Sequence, residues 1–176
     1  MDNKNIKKPL KIILIIFLAF VLILAGLIIF HRIKNGSDIK YLTEKGYYNP
    51  VSIGDCSLNV VKFGNENSDR KIVVLSGMGS GLSVDMRPMT KELEDDYMFI
   101  FIGRAGWDGS DDKKDERSVE TIVEEYRSAL KASGLEGPYT LMAHSMGSVY
   151  ASYWVSKYPE EIDAFINNLK QILKEE

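Results

Sequence analysis

Cysteine and histidine are nearly missing from this 176-residue sequence, which has one cysteine, Cys56, and two histidines, His31 and His144. A single thiol excludes an intrachain disulfide framework and a cysteine-ligated zinc site. Two imidazoles leave few candidates for a general base working near neutral pH. Charge of one sign is not in excess, since the formal net charge is −3. With no long basic stripe either, nothing pulls the chain toward nucleic acid. Internal repeats and low-complexity tracts are also lacking. What remains, 45% hydrophobic and 27% charged, is the composition of a globular core rather than of a disordered chain.

One long apolar run is present. Residues Ile12–Phe30 are apolar without a break, with Gly26 as the only punctuation. As a helix these would span about 28 Å, close to the hydrocarbon thickness of a bilayer. A cleavable leader would have a shorter apolar stretch ending in small residues, whereas this one ends Ile28-Ile29-Phe30-His31-Arg32. No cysteine follows for lipid attachment. The expectation is an uncleaved transmembrane helix over 12–30, touching the lipid bilayer and preceded by a basic cytoplasmic terminus at 1–11. Lys4, Lys7, Lys8 and Lys11 favour that orientation, although Arg32, Lys34 and Lys40 nearly balance them. The rest would then lie outside the cytoplasm on a single-pass anchor. Residues 31–46 read as a linker with some helical character, and 47–176 as the folded domain.

In that domain short apolar runs alternate with amphipathic ones. Pro50–Gly54 and Leu58–Phe63 read as paired strands, and Lys71–Leu75, Tyr97–Ile102 and Pro138–Ala143 as buried ones. Helices are expected at Pro88–Leu93, Ser118–Ala132 and Met146–Tyr158, the last ended by Pro159. The charged run Asp111–Glu116 reads as a solvated loop, and Trp107, Tyr150 and Tyr153 as core or pocket wall. Strands alternating with helices of this length predict an α/β fold, a mostly parallel sheet covered on both faces.

The stretch with chemical content is Tyr139-Thr-Leu-Met-Ala-His-Ser-Met-Gly-Ser148. Ser145 follows an apolar strand and precedes a helix, with the small Ala143 and Gly147 two positions away on either side. A strand that turns sharply into a helix strains its central residue, and neighbouring side chains must be small to avoid collision. The strain lifts the hydroxyl above the sheet, and the helix start leaves the Met146 amide available to an oxyanion. A phosphate-loop reading of Gly77-x-Gly79-x-Gly81 fails, because residue 82 is leucine and no Gly-Lys-Ser/Thr follows.

Three motifs in order resemble the amino-terminal half of an α/β-hydrolase of the proline-iminopeptidase-like and esterase-like kind. Leu75-Ser-Gly-Met-Gly-Ser-Gly81 resembles the oxyanion loop, with Ser76 where a histidine is usual. Arg104-Ala-Gly-Trp-Asp-Gly-Ser110 resembles the loop after the fourth strand, with Gly103 in place of its acidic residue. The elbow at Ser145 is the third. The resemblance implies Ser145 as nucleophile, the Met78 and Met146 amides as oxyanion hole, and Gly77, Gly79, Ala143 and Gly147 as support for the turn. No metal cluster or cofactor motif is visible, and the resemblance implies as substrate a small ester or amide.

The family places an acid and then a histidine after the elbow, yet no histidine follows Ser145. His144 is expected to turn away from the serine's pocket, and His31 lies at the membrane boundary. As a chain by itself the sequence therefore reads as a truncated α/β-hydrolase fold of the membrane-anchored serine hydrolase type, expected to be inactive because the acid and histidine of the triad are absent. The alternatives are a non-catalytic membrane-anchored binding module and a truncated gene product. Finally, the resemblance would make Ile162–Ile166 the next parallel strand, yet Ile162, Phe165, Ile166, Leu169, Ile172 and Leu173 fall at helical spacing. They predict a terminal amphipathic helix that covers part of the edge of the 139–143 strand.

Overall fold

A computed structural model describes residues 4–78 and 82–167. The chain divides after Glu44 into two compact units. The first is one helix, α1, Lys4–Glu44, 41 residues long. Its segment Lys11–Phe30 is long and apolar enough to cross a membrane, and its large apolar side chains are exposed throughout. Helix continues through the polar stretch read as a linker, with Lys40 and Glu44 paired at 4.0 Å and the Thr43 hydroxyl donating to the Ile39 carbonyl. Gly46, at φ +75°, follows the end, where a left-handed residue closes the last turn without a Cβ clash.

The second unit is a six-stranded sheet of β1 (Pro50–Ser52), β2 (Ser57–Gly64), β3 (Lys71–Leu75), β4 (Met98–Ile102), β5 (Tyr139–Ala143) and β6 (Ile162–Asn167). The spatial order is β1-β2-β4-β3-β5-β6. The first two strands run antiparallel to their neighbours, and β4, β3, β5 and β6 are mutually parallel. Strands β3, β4 and β5 are continuous apolar runs because both faces are covered. Val73, Leu75, Ile100, Ile102 and Leu141 face a cluster built with Tyr126, Leu130 and Trp154 of α3 (Val119–Ala132) and α4 (Gly147–Lys157). Ile72, Val74, Phe99 and Phe101 point the other way, toward Met86 of α2 (Leu82–Thr90). Ser118, expected as the first helical residue, instead caps α3, accepting from the Thr121 amide. Helix α2 begins six residues ahead of the expected Pro88 and keeps that proline inside, with a short 3-10 turn at Lys91–Leu93 after it.

The terminal expectation is overturned. Ile162–Asn167 is a strand, parallel to β5 along its whole length, with Tyr139 opposite Ile162 and Ala143 opposite Asn167. β5 is therefore an interior strand, and no terminal helix covers its edge over these residues. The apolar spacing suits a helix, but without this strand β5 would expose an edge of unpaired backbone groups, which Ile162–Asn167 can satisfy only when extended. The expected helix positions Leu169, Ile172 and Leu173 lie outside the described residues.

Strand order reverses between β3 and β5, since the chain passes from β3 to β4 on one side and returns to β5 on the other. In open parallel sheets ligands bind beyond the carboxyl ends of the strands at such a switch. Here that places Ser76 and Gly77, after β3, beside Ser145, after β5.

Candidate active site

Ser145 occupies the turn between β5 and α4 at φ +53°, a left-handed conformation uncommon for a residue with a side chain. Backbone bonds hold it there. The His144 amide donates to the Leu75 carbonyl at 3.1 Å, tying the turn to β3. The Gly147, Ser148 and Val149 amides donate to the carbonyls of His144, Ser145 and Met146 at 2.9–3.0 Å. These bonds start at Gly147, so the Met146 amide stands ahead of the bonded turn, at the amino-terminal end of α4.

The small residues around the serine have steric reasons. A Cβ on Gly147 would fall 2.4 Å from the Leu75 carbonyl oxygen and 2.9 Å from that of Ser76, so α4 packs against β3 with no space for a side chain. A Cβ on Gly77 would lie 3.0 Å from Ser145 Cβ and 3.1 Å from His144 Nδ1. The loop after β3 therefore rests directly on the elbow, and the His144 imidazole is turned to Gly77. Ala143 is buried at the end of β5, while His144 and Ser145 are exposed. Met78 follows Gly77 and is 75% exposed. Gly79 lies outside the described residues.

The loop after β4 is fixed by a residue that the motifs did not reveal. Asn59, buried in β2, accepts from the Asn49 amide through Oδ1 and donates through Nδ2 to the Tyr47 and Asp108 carbonyls. Its own amide donates to Ser110 Oγ, and its carbonyl accepts from the Gly103 amide. An asparagine interrupting the apolar run Leu58-Asn59-Val60 was the available signal, since a buried amide side chain must find partners. Gly103, where the motif has an acidic residue, has no space for one. A Cβ there would meet Ser110 Oγ at 2.6 Å.

The charged run beyond this loop is not simply solvated. Lys113, 15% exposed, bridges Asp55 at 2.8 Å and Glu125 at 3.3 Å. Arg117 grips the same buried Glu125 with bonds of 2.6 and 2.7 Å. The Asp55 and Glu125 carboxylates raise the Lys113 ammonium above its ordinary range. Burial, reinforced by the nearby Glu125 charge, pushes the Cys56 thiol up, which disfavours a reactive thiolate there. A cavity of about 390 Å³, lined by Arg127, Glu136, Trp154 and Glu161 among others, lies toward the amino-terminal end of β5, opposite to the serine.

Residues 71–168 match the family with the alpha/beta hydrolase fold. An uncharacterized protein of Bacillus subtilis strain 168, YbdG, is 31% identical over 165 residues, covering 93% of this chain and 50% of its own length. A second uncharacterized protein of that organism, YqjL, is 30% identical over 91 residues, covering 52% of this chain and 36% of its own. Among solved structures, a putative lipase from Acinetobacter baumannii AYE superposes with a TM-score of 0.62 at 20% identity, covering 68% of this chain and 40% of the lipase. A proline iminopeptidase-related protein from Thermus thermophilus gives 0.60 at 21% identity, covering 68% and 42%. The chain belongs to the α/β-hydrolase family. It spans half or less of the length of these relatives.

Proposed function

We propose that this protein is a membrane-anchored serine hydrolase in which Ser145 attacks the carbonyl of an ester or amide. The observation that carries the reading is the positive φ of Ser145 at the strand-order switch, packed against Gly77 and Gly147, where an added Cβ would meet other atoms at 3.0 Å or less. The Met146 amide and the amide of Met78 are assigned to the oxyanion. The Met146 amide belongs to the amino-terminal end of α4, so it need not reorganise as charge develops. Ser145 transfers its hydroxyl proton to a base as it attacks, and the base returns it to the leaving group. No histidine follows Ser145 in this sequence, so that base and its acid are assigned to residues outside these 176. Lys11–Phe30 is assigned to the bilayer, with the hydrolase unit on the far side from the cytoplasm. The relatives called a lipase and iminopeptidase-related support the ester-or-amide class by analogy only.

A missing base can be supplied in solution. Measured above the rate of imidazole alone, hydrolysis of a short nitrophenyl ester by the full chain in detergent should be slow and should rise with added imidazole. That increment should vanish in Ser145→Ala. Equal imidazole-dependent rates in both proteins would rule out Ser145 as nucleophile.

A further inference from the structure

The Met78 amide can stabilise an oxyanion only where the backbone around it stays in place. Hydrogen bonds do not supply that restraint, since among the described residues none holds Gly77 or Met78. Met78 is also 75% exposed, so its side chain is no anchor. Packing must hold this stretch instead. Where a Cβ would stand on Gly77, the nearest atoms are Ser145 Cβ at 3.0 Å, His144 Nδ1 at 3.1 Å and the His144 carbonyl oxygen at 3.3 Å. Two of these three belong to His144, one from its ring and one from its backbone.

The backbone of His144 is itself fixed. Its amide donates to the Leu75 carbonyl at 3.1 Å, and its carbonyl accepts from the Gly147 amide at 3.0 Å. The imidazole therefore projects from a rigid point and lies where a side chain on Gly77 would point. His144 is exposed, and substitutions at exposed positions seldom move overall stability by much. What the contact restricts is the loop after β3. Glycine is the residue with the most backbone freedom to lose, so a neighbour that closes off its open side matters more here than elsewhere.

We infer that His144 is a positioning residue for the oxyanion hole. It seats Gly77 through its ring and carbonyl, and through the next peptide it sets where the Met78 amide stands relative to Ser145. Resting on the nucleophile reading, this adds to it a residue that touches no substrate atom and transfers no proton. Alanine at this position keeps the carbonyl and removes the ring half of the seat. Asparagine places an amide atom where Nδ1 stands and so fills the same space.

Labelling by a fluorophosphonate, followed against probe concentration on the full chain in detergent, reads the position of the amide. As the Ser145 oxygen bonds to phosphorus and fluoride leaves, charge grows on the phosphoryl oxygen. His144→Ala should lower the maximal labelling rate about tenfold, less than the roughly 10²–10³ for outright loss of an oxyanion donor. The probe concentration giving half that rate and the thermal midpoint should both stay as in the wild type. His144→Asn should recover most of the rate. Without any turnover, Gly77→Ala should lower the thermal midpoint less in a His144→Ala background than in the wild type, because the new Cβ takes space that Nδ1 has left. Unchanged labelling in His144→Ala, a loss that asparagine leaves unrepaired, or equal Gly77→Ala penalties in both backgrounds would overturn the proposal. Should Gly77→Ala not fold, the labelling comparison alone decides. If the wild type forms no adduct at Ser145 while the two penalties still differ, the nucleophile assignment falls and the seat on Gly77 stands.

Discussion

Ser145 and Gly147 make opposite demands on the backbone that holds them. The serine is strained, so Ser145→Gly, which accepts φ +53° freely, should raise stability by about 1 kcal/mol, read from denaturant midpoints. Gly147→Ala should lower it by about 1–3 kcal/mol or more, because its Cβ would sit 2.4 Å from the Leu75 carbonyl oxygen, and that backbone cannot move aside. Much of this was legible beforehand. The small residues at 143 and 147 around a serine between a strand and a helix already specify a tight turn. The burial of Arg104 between the Trp107 and Tyr150 rings was not legible. A motif can mark an arginine, but only tertiary packing decides whether it keeps water or loses it, and α3, α4 and the loop after β4 come together only in the fold.

At the level of elements, β6 shows where periodicity misleads. Ile162, Phe165 and Ile166 fit a helix by spacing, while β5 imposes an extended partner. Contacts just before the strand fix where it starts. Glu161 accepts bonds of 2.6–3.2 Å from the Arg127 guanidinium and one of 2.8 Å from Trp154 Nε1. The Arg127 and Trp154 bonds hold the Glu161 carboxyl below its ordinary range. A carboxyl depressed in the folded state adds stability above its unfolded pKa, about 4.3, and loses it as pH falls through the folded value. Glu161→Gln should therefore cost about 1–2 kcal/mol at neutral pH. It should also flatten the loss of stability below about pH 4.5, as followed by urea unfolding at several pH values. Glu125→Ala, which strands Lys113 and Arg117 around a buried position, should cost about 3 kcal/mol. By contrast β3, β4 and β5 were readable almost to the residue, because an uninterrupted apolar run bounded by turn residues has few other places to go.

For the whole molecule, the alternation of strands and helices was enough to specify a parallel α/β sheet, and the ordered motifs its family. The length of the apolar helix was plain, whereas its continuation to Glu44 was not, since polar residues at 35–44 suit a helix and a linker equally well. If Lys11–Phe30 spans a bilayer, the protein should stay with membranes after extraction at alkaline pH and leave them only in detergent. Release by alkali alone would contradict the anchor. The nucleophile remains the central claim, and a fluorophosphonate reagent tests it most directly. An oxyanion hole and a strained serine retain part of their reactivity without the other triad members. Intact full chain should form a slow, single adduct that peptide mass spectrometry places on Ser145, and Ser145→Ala should form none. An adduct on another residue, or no adduct from protein shown to be folded, would contradict the assignment.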